Sequence, residues 1–436
     1  MGEEFDNGDF GTVGAVKVGE LAADGPAADD DDRRRGLTQL ECLAAGEDAF
    51  AVGCDAGQGA RDGAGGDEDV ACLYGVTLGR DAKAVRACEA CGAVDDVDLV
   101  LLQEGFDSTN EALDDAAGAV DGDRILTSRE ALELRHTPAS IVIVGGGPIG
   151  CEFAYLYRSY GAEVTLVELL PHLLPNEDED VSKQLERSFS TQGIAVRTGA
   201  SVAGISVGAN GVSVRVQSGE TAEDLRAERV LMGVGFGANT DALGLREAGV
   251  ETDEQGWVRI DDYARTNVPS VWAAGDVTGR MLLAHVASHQ GVAAVETMAG
   301  HNPPPLDYDH MPRAVYCQPQ VASLGLSEAQ ARERGIDVRI GRFPFRASGK
   351  AMAMGDTEGF VKLVVNNATN AIAGWHIIGH NATELLGEAT LATTLEATTA
   401  ELSYAVHAHP TLAEAIKEAA QAAGGQAIHF FTRRGA

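Results

Sequence analysis

Positive charge is scarce in this chain. Lys and Arg number 33 against 66 Asp and Glu, a formal net charge of −33 over 436 residues. That balance repels phosphate backbones and anionic lipid, so nucleic acid and anionic membrane are excluded as partners. It suits a heavily solvated surface of the kind a salt-rich cytoplasm screens. Apolar runs of membrane-spanning length are missing, and the first thirty residues are acidic where a secretory signal is basic, so a cytoplasmic location is expected. The seven cysteines fall at scattered spacings, unlike a secreted disulfide framework. No fixed-period repeat is present.

The length leaves room for about three domains. Residues 1–100 hold 23 of the acidic residues and five of the cysteines (Cys42, Cys54, Cys72, Cys88, Cys91). Within them, 29–35 is four aspartates followed by three arginines, and 55–69 is almost entirely Asp, Gly and Ala. Val97-Asp98-Leu99-Val100-Leu101-Leu102 is the one run there that reads as a buried strand. Regular patterning begins near Asp121, so a boundary is placed close to 120, with an irregular N-terminal region before it.

Beyond that boundary the sequence spells a dinucleotide-binding unit. The strand Ser140–Val144 runs into Gly145-Gly146-Gly147-Pro148-Ile149-Gly150, a helix follows, and a second strand, Glu163–Val167, ends on Glu168. Gly145 allows the tight turn, Gly147 lets backbone N–H groups approach a pyrophosphate, and Gly150 allows the helix to pack closely on the strand. Glu168, eighteen positions after the last glycine, accepts from an adenosine ribose and repels a 2′-phosphate, which favours NAD over NADP. Val181, Leu185 and Phe189 mark the apolar face of a helix that Gly193 stops, and a strand, 194–197, follows. Val202–Ser206 and Val212–Val216 read as a hairpin, and Arg229–Val234 as another strand. To the cofactor-binding set we add Val202, at the start of that hairpin, and Gly235, just past the last strand. A short buried strand over 267–276 ends in Gly275 and Asp276, a carboxylate placed to meet a cofactor hydroxyl. Leu282-Leu283-Ala284-His285 opens a helix whose N–H groups suit an electron-rich ring. Near the end, Pro410 restricts His409 to an extended backbone and is expected to start a helix, with Glu414 four residues into it and in reach of one ring nitrogen.

From about 121 to 430 the chain resembles dihydrolipoamide dehydrogenase, a class I pyridine nucleotide-disulfide oxidoreductase using flavin and NAD. The carrying segments are 145–152, 273–276, Tyr316-Cys317-Gln318-Pro319-Gln320-Val321, 345–350 and His407-Ala408-His409-Pro410-Thr411-Leu412-Ala413-Glu414. The resemblance implies an α/β fold with Rossmann-type domains and an α+β dimer-interface domain. It divides the chain into 121–264 for NAD, 265–312 for the remainder of an FAD domain and 313–436 for dimerisation. It implies that Asp276 binds the ribityl chain of FAD, that Ala284 lies at the flavin ring and that Glu152 faces the nicotinamide and flavin. His409 and Glu414 become the base pair that deprotonates a dithiol, and His407 supports them. The implied partners are a second copy of the chain and the lipoyl domains of a 2-oxoacid dehydrogenase acyltransferase.

Two expected features are missing. No N-terminal G-x-G-x-x-G for FAD and no C-x-x-x-x-C followed by lysine occur. Cys88-Glu89-Ala90-Cys91 has the spacing of a redox pair or half a metal site, but no second pair or paired histidines follow, and no metal is expected. Residues 1 to about 115 match the missing half-domain in length, so an out-of-frame translation of it is the reading adopted, with a replaced domain as the alternative. Three functions stay open: the dehydrogenase with a corrupted N-terminus, a related flavoenzyme without the cysteines such as a soluble transhydrogenase, and a non-catalytic NAD-binding subunit. Glu168 speaks against the NADP a transhydrogenase needs. The tail Phe430–Ala436 has none of the cysteines of a mercuric reductase.

Overall fold

A computed structural model describes residues 120–430 and, before them, the backbone of four strands: β1 (Gln39–Ala44), β2 (Phe50–Asp55), β3 (Val85–Arg86) and β4 (Leu99–Gln103). Only β4 was legible as a strand. β1 pairs with β2 and β3 with β4, both antiparallel, so cross-strand pairing forms strands where the local apolar pattern is weak. The Cys88–Cys91 pair lies outside the described residues. The chain divides into two compact units, Met1–Asp107 with Gly237–Asp307, and Ser108–Phe236 with Tyr308–Ala436. Residues 237–264, read from sequence with the nucleotide domain, belong to the first unit.

The second unit begins with a five-stranded parallel sheet: β5 (Ile125–Leu126), β6 (Ser140–Val144), β7 (Glu163–Val167), β8 (Ala195–Arg197) and β12 (Arg229–Met232), in the order β5-β12-β6-β7-β8. Ile141–Val144 are all buried, as expected of a strand covered on both faces. Three helices accompany it: α1 (Ser128–Glu133), α2 (Pro148–Ser159) and α3 (Glu179–Gln192). Asp178 caps α3 by accepting from Asp180 N–H, and Gly193 ends it at φ 83°, a left-handed stop that glycine adopts without penalty.

The predicted hairpin is present as β9 (Ser201–Gly208) and β10 (Gly211–Ser218), but a third strand, β11 (Thr221–Ala227), pairs with β10 in register from Val212↔Ala227 to Ser218↔Thr221. Sequence reading missed β11 because nearly all of it is exposed and polar, leaving no alternation to detect. Val212, Val214 and Val216 alternate into the core.

In the first unit, β13 (Val271–Gly275) is buried throughout and pairs in parallel with β4, Val271 opposite Leu99. It is shorter than the 267–276 expected, because residues 267–270 form a turn in which Val271 N–H donates to Val268. Helix α4 (Ala284–Met298) follows, starting where the sequence placed it.

The second unit closes with a five-stranded antiparallel sheet, β14 (Arg313–Val315), β15 (Gln320–Gly325), β16 (Val338–Pro344), β17 (Gly359–Asn366) and β18 (Ile372–Gly379), ordered β14-β15-β18-β17-β16. Around it lie α5 (Glu328–Glu333), α6 (Gly349–Met354), α7 (Ala382–Thr394), α8 (Thr399–Tyr404) and α9 (Glu414–Ala423). Trp375, Phe343, Phe345, Val361 and Leu363 fill its core with Ala415, Ile416 and Ala419 of α9. The α9 backbone passes so close to β16 that a Cβ on Gly341 would stand 2.1 Å from the Ala419 carbonyl.

Candidate functional site

The turn after β6 is built by close backbone approach. A Cβ on Gly145 would sit 2.1 Å from the Gly233 carbonyl, and one on Gly150 only 1.8 Å from that of Gly145, so both positions demand glycine for the protein's own packing. Gly147 differs. A Cβ there would meet nothing within 4 Å, so its missing side chain leaves a cradle open. It precedes Pro148 at the start of α2, and no side chain caps that helix end. First-turn N–H groups lack intrahelical partners, and with the helix dipole they favour an anion at this place.

Glu168 stands behind the turn, 8% exposed. Its Oε2 accepts from Gly146 N–H at 2.5 Å and its Oε1 from Leu170 N–H at 2.7 Å. Each carboxylate oxygen has two lone pairs, so one on each oxygen is left over. The open cradle, the uncapped helix start and this carboxylate fit the pyrophosphate and ribose of a dinucleotide. Val202 packs against the core cluster that contains Val144 and Val167, the ends of the two strands flanking the turn. Gly235 takes φ 117°, two residues beyond the carbonyl that abuts Gly145. Ile149 packs, half-buried, against the core beneath α2. Glu152 is tied to the segment after β14, its Oε1 accepting from Tyr316 N–H at 2.7 Å. Burial pushes its carboxyl above the usual range, outweighing that hydrogen bond.

In the other unit, β13 delivers Asp276 into a short 3-10 turn, Asp276–Thr278, after Gly275 at φ 85°. Gln290 of α4 accepts from Gly275 N–H at 2.6 Å, which fixes α4 against the strand end. Ala284 begins α4, and no side chain caps that helix either. A carboxylate beyond a buried strand and an uncapped helix start fit the ribityl and ring portions of a flavin.

The turn before α9 brings His409 and Glu414 together. The imidazole Nδ1 lies 2.9 Å from Glu414 Oε1 and the histidine side chain is 75% exposed, so Nε2 is presented outward. One expectation is corrected: α9 begins at Glu414, not at Pro410. Residues 408–413 form a turn in which Thr411 Oγ1 donates to the Ala408 carbonyl and Thr411 N–H donates to Glu414 Oε2, so the carboxylate closes the turn and opens the helix. Partial burial works to raise the Glu414 carboxyl, but the hydrogen bonds from Thr411 and His409 prevail and hold it below the ordinary range. His407 Nε2 meets Glu388 Oε1 at 2.8 Å.

Sequence reading missed a second pair of this kind. His429 Nδ1 lies 2.7 Å from Glu418, whose other oxygen accepts the N–H groups of Ile428 and His429. The available signal was the four-residue spacing of Glu414 and Glu418, which sets both carboxylates on one face of α9. Cys151 and Cys317 are buried free thiols. Burial pushes both upward, Cys317 to about 12, so the nucleophilic thiolate is scarce near neutrality. Iodoacetamide at pH 8 should therefore leave both unmodified in the native protein and label both after unfolding. Rapid native labelling of either, located by mass spectrometry, would contradict their burial. Among the described residues no cluster of His, Cys, Asp or Glu is arranged to hold a metal ion, and no helix is long and apolar enough to cross a membrane.

Comparison with known proteins gives a consistent likeness. The family described as pyridine nucleotide-disulphide oxidoreductase matches residues 75–291, and the dimerisation domain of that family matches 311–420. The first match begins inside the stretch whose composition reads poorly. A dihydrolipoyl dehydrogenase of Mycobacterium leprae is 48% identical over 307 residues, 70% of this chain and 66% of that protein. One from Corynebacterium glutamicum is 38% identical over 363 residues, covering 82% of this chain and 77% of its own length. Among solved structures, LpdA from Mycobacterium tuberculosis superposes with a TM-score of 0.65 at 30% identity, over 69% of this chain and 65% of that one. The chain thus spans just under two thirds of the length of several relatives it matches.

Proposed function

The chain belongs to the pyridine nucleotide-disulphide oxidoreductase family, and on that premise we propose that it is built to oxidise a dihydrolipoyl dithiol with NAD. The observation that carries this reading is the His409–Glu414 pair, an exposed imidazole oriented by a carboxylate that two hydrogen bonds keep ionised. Nε2 of His409 takes the thiol proton, and Glu414 fixes the tautomer and stabilises the imidazolium that results. Overall the dithiol loses two electrons and two protons and becomes a disulfide. NAD leaves with both electrons and one proton as hydride, and the second proton passes to solvent through His409. FAD, when bound, would be held by Asp276 and the start of α4 and would supply the two-electron relay. Gly145, Gly146, Gly147, Pro148, Ile149 and Gly150 seat the NAD pyrophosphate, Glu168 takes its ribose, and Glu152 lies toward the nicotinamide. The substrate class is the lipoyl group of a 2-oxoacid dehydrogenase acyltransferase, and the working form is a cytoplasmic homodimer joined through 313–436.

The domain plan proposed is 121–236 for NAD, 237–307 with the remaining FAD segment and 313–436 for the interface. The out-of-frame reading of residues 1 to about 115 is cut back to those before about 75, where the family match begins; that stretch lacks the glycine turn and exchange cysteines of the FAD half-domain. The chain as given should therefore bind NAD but retain FAD weakly. An in-frame N-terminal region should restore flavin, and anaerobic dihydrolipoamide should then bleach the flavin absorbance while glutathione and NADPH do not. Bleaching by NADPH in preference to dihydrolipoamide would sink this reading in favour of a transhydrogenase.

A further inference from the structure

The loop between Glu168 and α3 lies against the dinucleotide turn and is held from both sides. On the nucleotide side, Leu174 N–H donates to the Gly146 carbonyl at 2.8 Å, and Leu173 fills the space beside Gly146, its Cδ2 2.7 Å from where a Cβ would be. Gly146 and Leu170 in turn supply both N–H groups that hold Glu168. Leu174, buried, takes φ 49°, a left-handed conformation that L residues avoid, so the loop does not hold this shape unaided.

The support comes from the interface domain. Glu177 Oε1 lies 3.0 Å from Arg313 Nε of β14, and Asp178 Oδ1 lies 2.8 Å from Lys362 Nζ of β17. Lys362, 2% exposed, also reaches Asp180 at 2.8 Å and Glu328 at 3.0 Å. The second carboxylate oxygen of Glu177 is buried without a hydrogen-bond partner, so Arg313 is what compensates that charge. Buried pairs of this kind contribute little net stability, but removing one partner strands the other charge and displaces what carries it.

We propose that Arg313 and Lys362 are positioning residues for the dinucleotide, bracing the loop 169–178 from the interface domain so that Gly146 and Glu168 keep their places behind the turn. The proposal rests on the assignment of 145–168 to NAD. It deepens that assignment by giving residues 145 and 194 positions after Glu168 a part in nucleotide selection. Burial opposes the charge on both Asp178 and Lys362, yet His376 and Lys362 together keep the aspartate below its ordinary value, and Asp178, Asp180 and Glu328 keep the lysine above its own, alongside the short contacts of the brace.

The test is fluorescence titration of NADH and NADPH into the full chain. Arg313→Gln should weaken NADH by about tenfold and shrink the preference over NADPH, with Arg313→Lys within about twofold of the parent. Lys362→Met should do the same, and Asp178→Asn added to it should recover part of the loss by removing the stranded charge. A lower melting temperature with unchanged NADH affinity and unchanged nucleotide preference in Arg313→Gln would overturn the proposal and leave the pairs merely structural. Should Lys362→Met fail to fold, the half-buried Arg313 variants decide. Gly147→Val separates the underlying reading: if it binds NADH as the parent does, the nucleotide site itself is misassigned, whatever the brace variants show.

Discussion

In the chain given an in-frame N-terminal region, His409→Gln should lower dihydrolipoamide-dependent NAD reduction by about 10²- to 10⁴-fold, the range set by loss of a general base. Glutamine keeps a polar group in the turn but accepts no proton, and Glu414 then orients nothing. NADH affinity should stay within about twofold, because the dinucleotide turn and the His409 turn lie on different elements, α2 and the loop before α9. Glu414→Gln should fall between parent and His409→Gln, since it removes the orienting charge and leaves the imidazole. Steady-state rates paired with NADH titration check this. A His409→Gln enzyme that turns over dihydrolipoamide at the parent rate would remove the residue from the chemistry.

Gly147→Val should cost at least about a hundredfold in NADH affinity while leaving stability within about 1 kcal/mol of the parent. The asymmetry follows from what each glycine meets. At Gly150 an added Cβ collides with the Gly145 carbonyl, so any substitution disturbs the fold, whereas at Gly147 it meets no protein atom. The backbone there is extended, at φ −71° and ψ −175°, which valine adopts freely, and replacing an N-cap glycine costs at most about 1 kcal/mol. The isopropyl group would occupy the space assigned to the pyrophosphate. Losing two hydrogen bonds to a charged group costs about 3 kcal/mol or more, which is the hundredfold stated. Thermal melts and NADH titration of the one variant separate the two effects. Equal affinity would mean that the cradle is empty space and not a binding surface.

What could be read from the sequence was what repeats locally. The glycine turn, the two strands beside it, the Gly193 stop and the start of α4 at Ala284 all rest on spacings of a few residues, and they stand where the patterns put them. The His409–Glu414 contact was legible for the same reason, although the helix begins four residues later than proline's preference suggested, because Glu414 itself closes the preceding turn. Strand β11 left no signal, since its stabilisation lies in cross-strand register with β10 and not in an apolar face. The brace from Arg313 and Lys362 was equally invisible. Its partners are 136 and 184 residues apart in sequence, and each looks like an ordinary surface charge until the fold buries it.

The assigned function is tested most directly by NADH formation from dihydrolipoamide and NAD, measured with added FAD on the chain as given and on the same chain with its N-terminal region restored in frame. The chain as given should run near the uncatalysed blank and the restored chain should sustain turnover, abolished by His409→Gln. A restored, flavin-bearing chain that reduces no NAD with dihydrolipoamide would contradict the assigned function. Turnover by the unrestored chain would show instead that residues 1–120 carry a working flavin and thiol site.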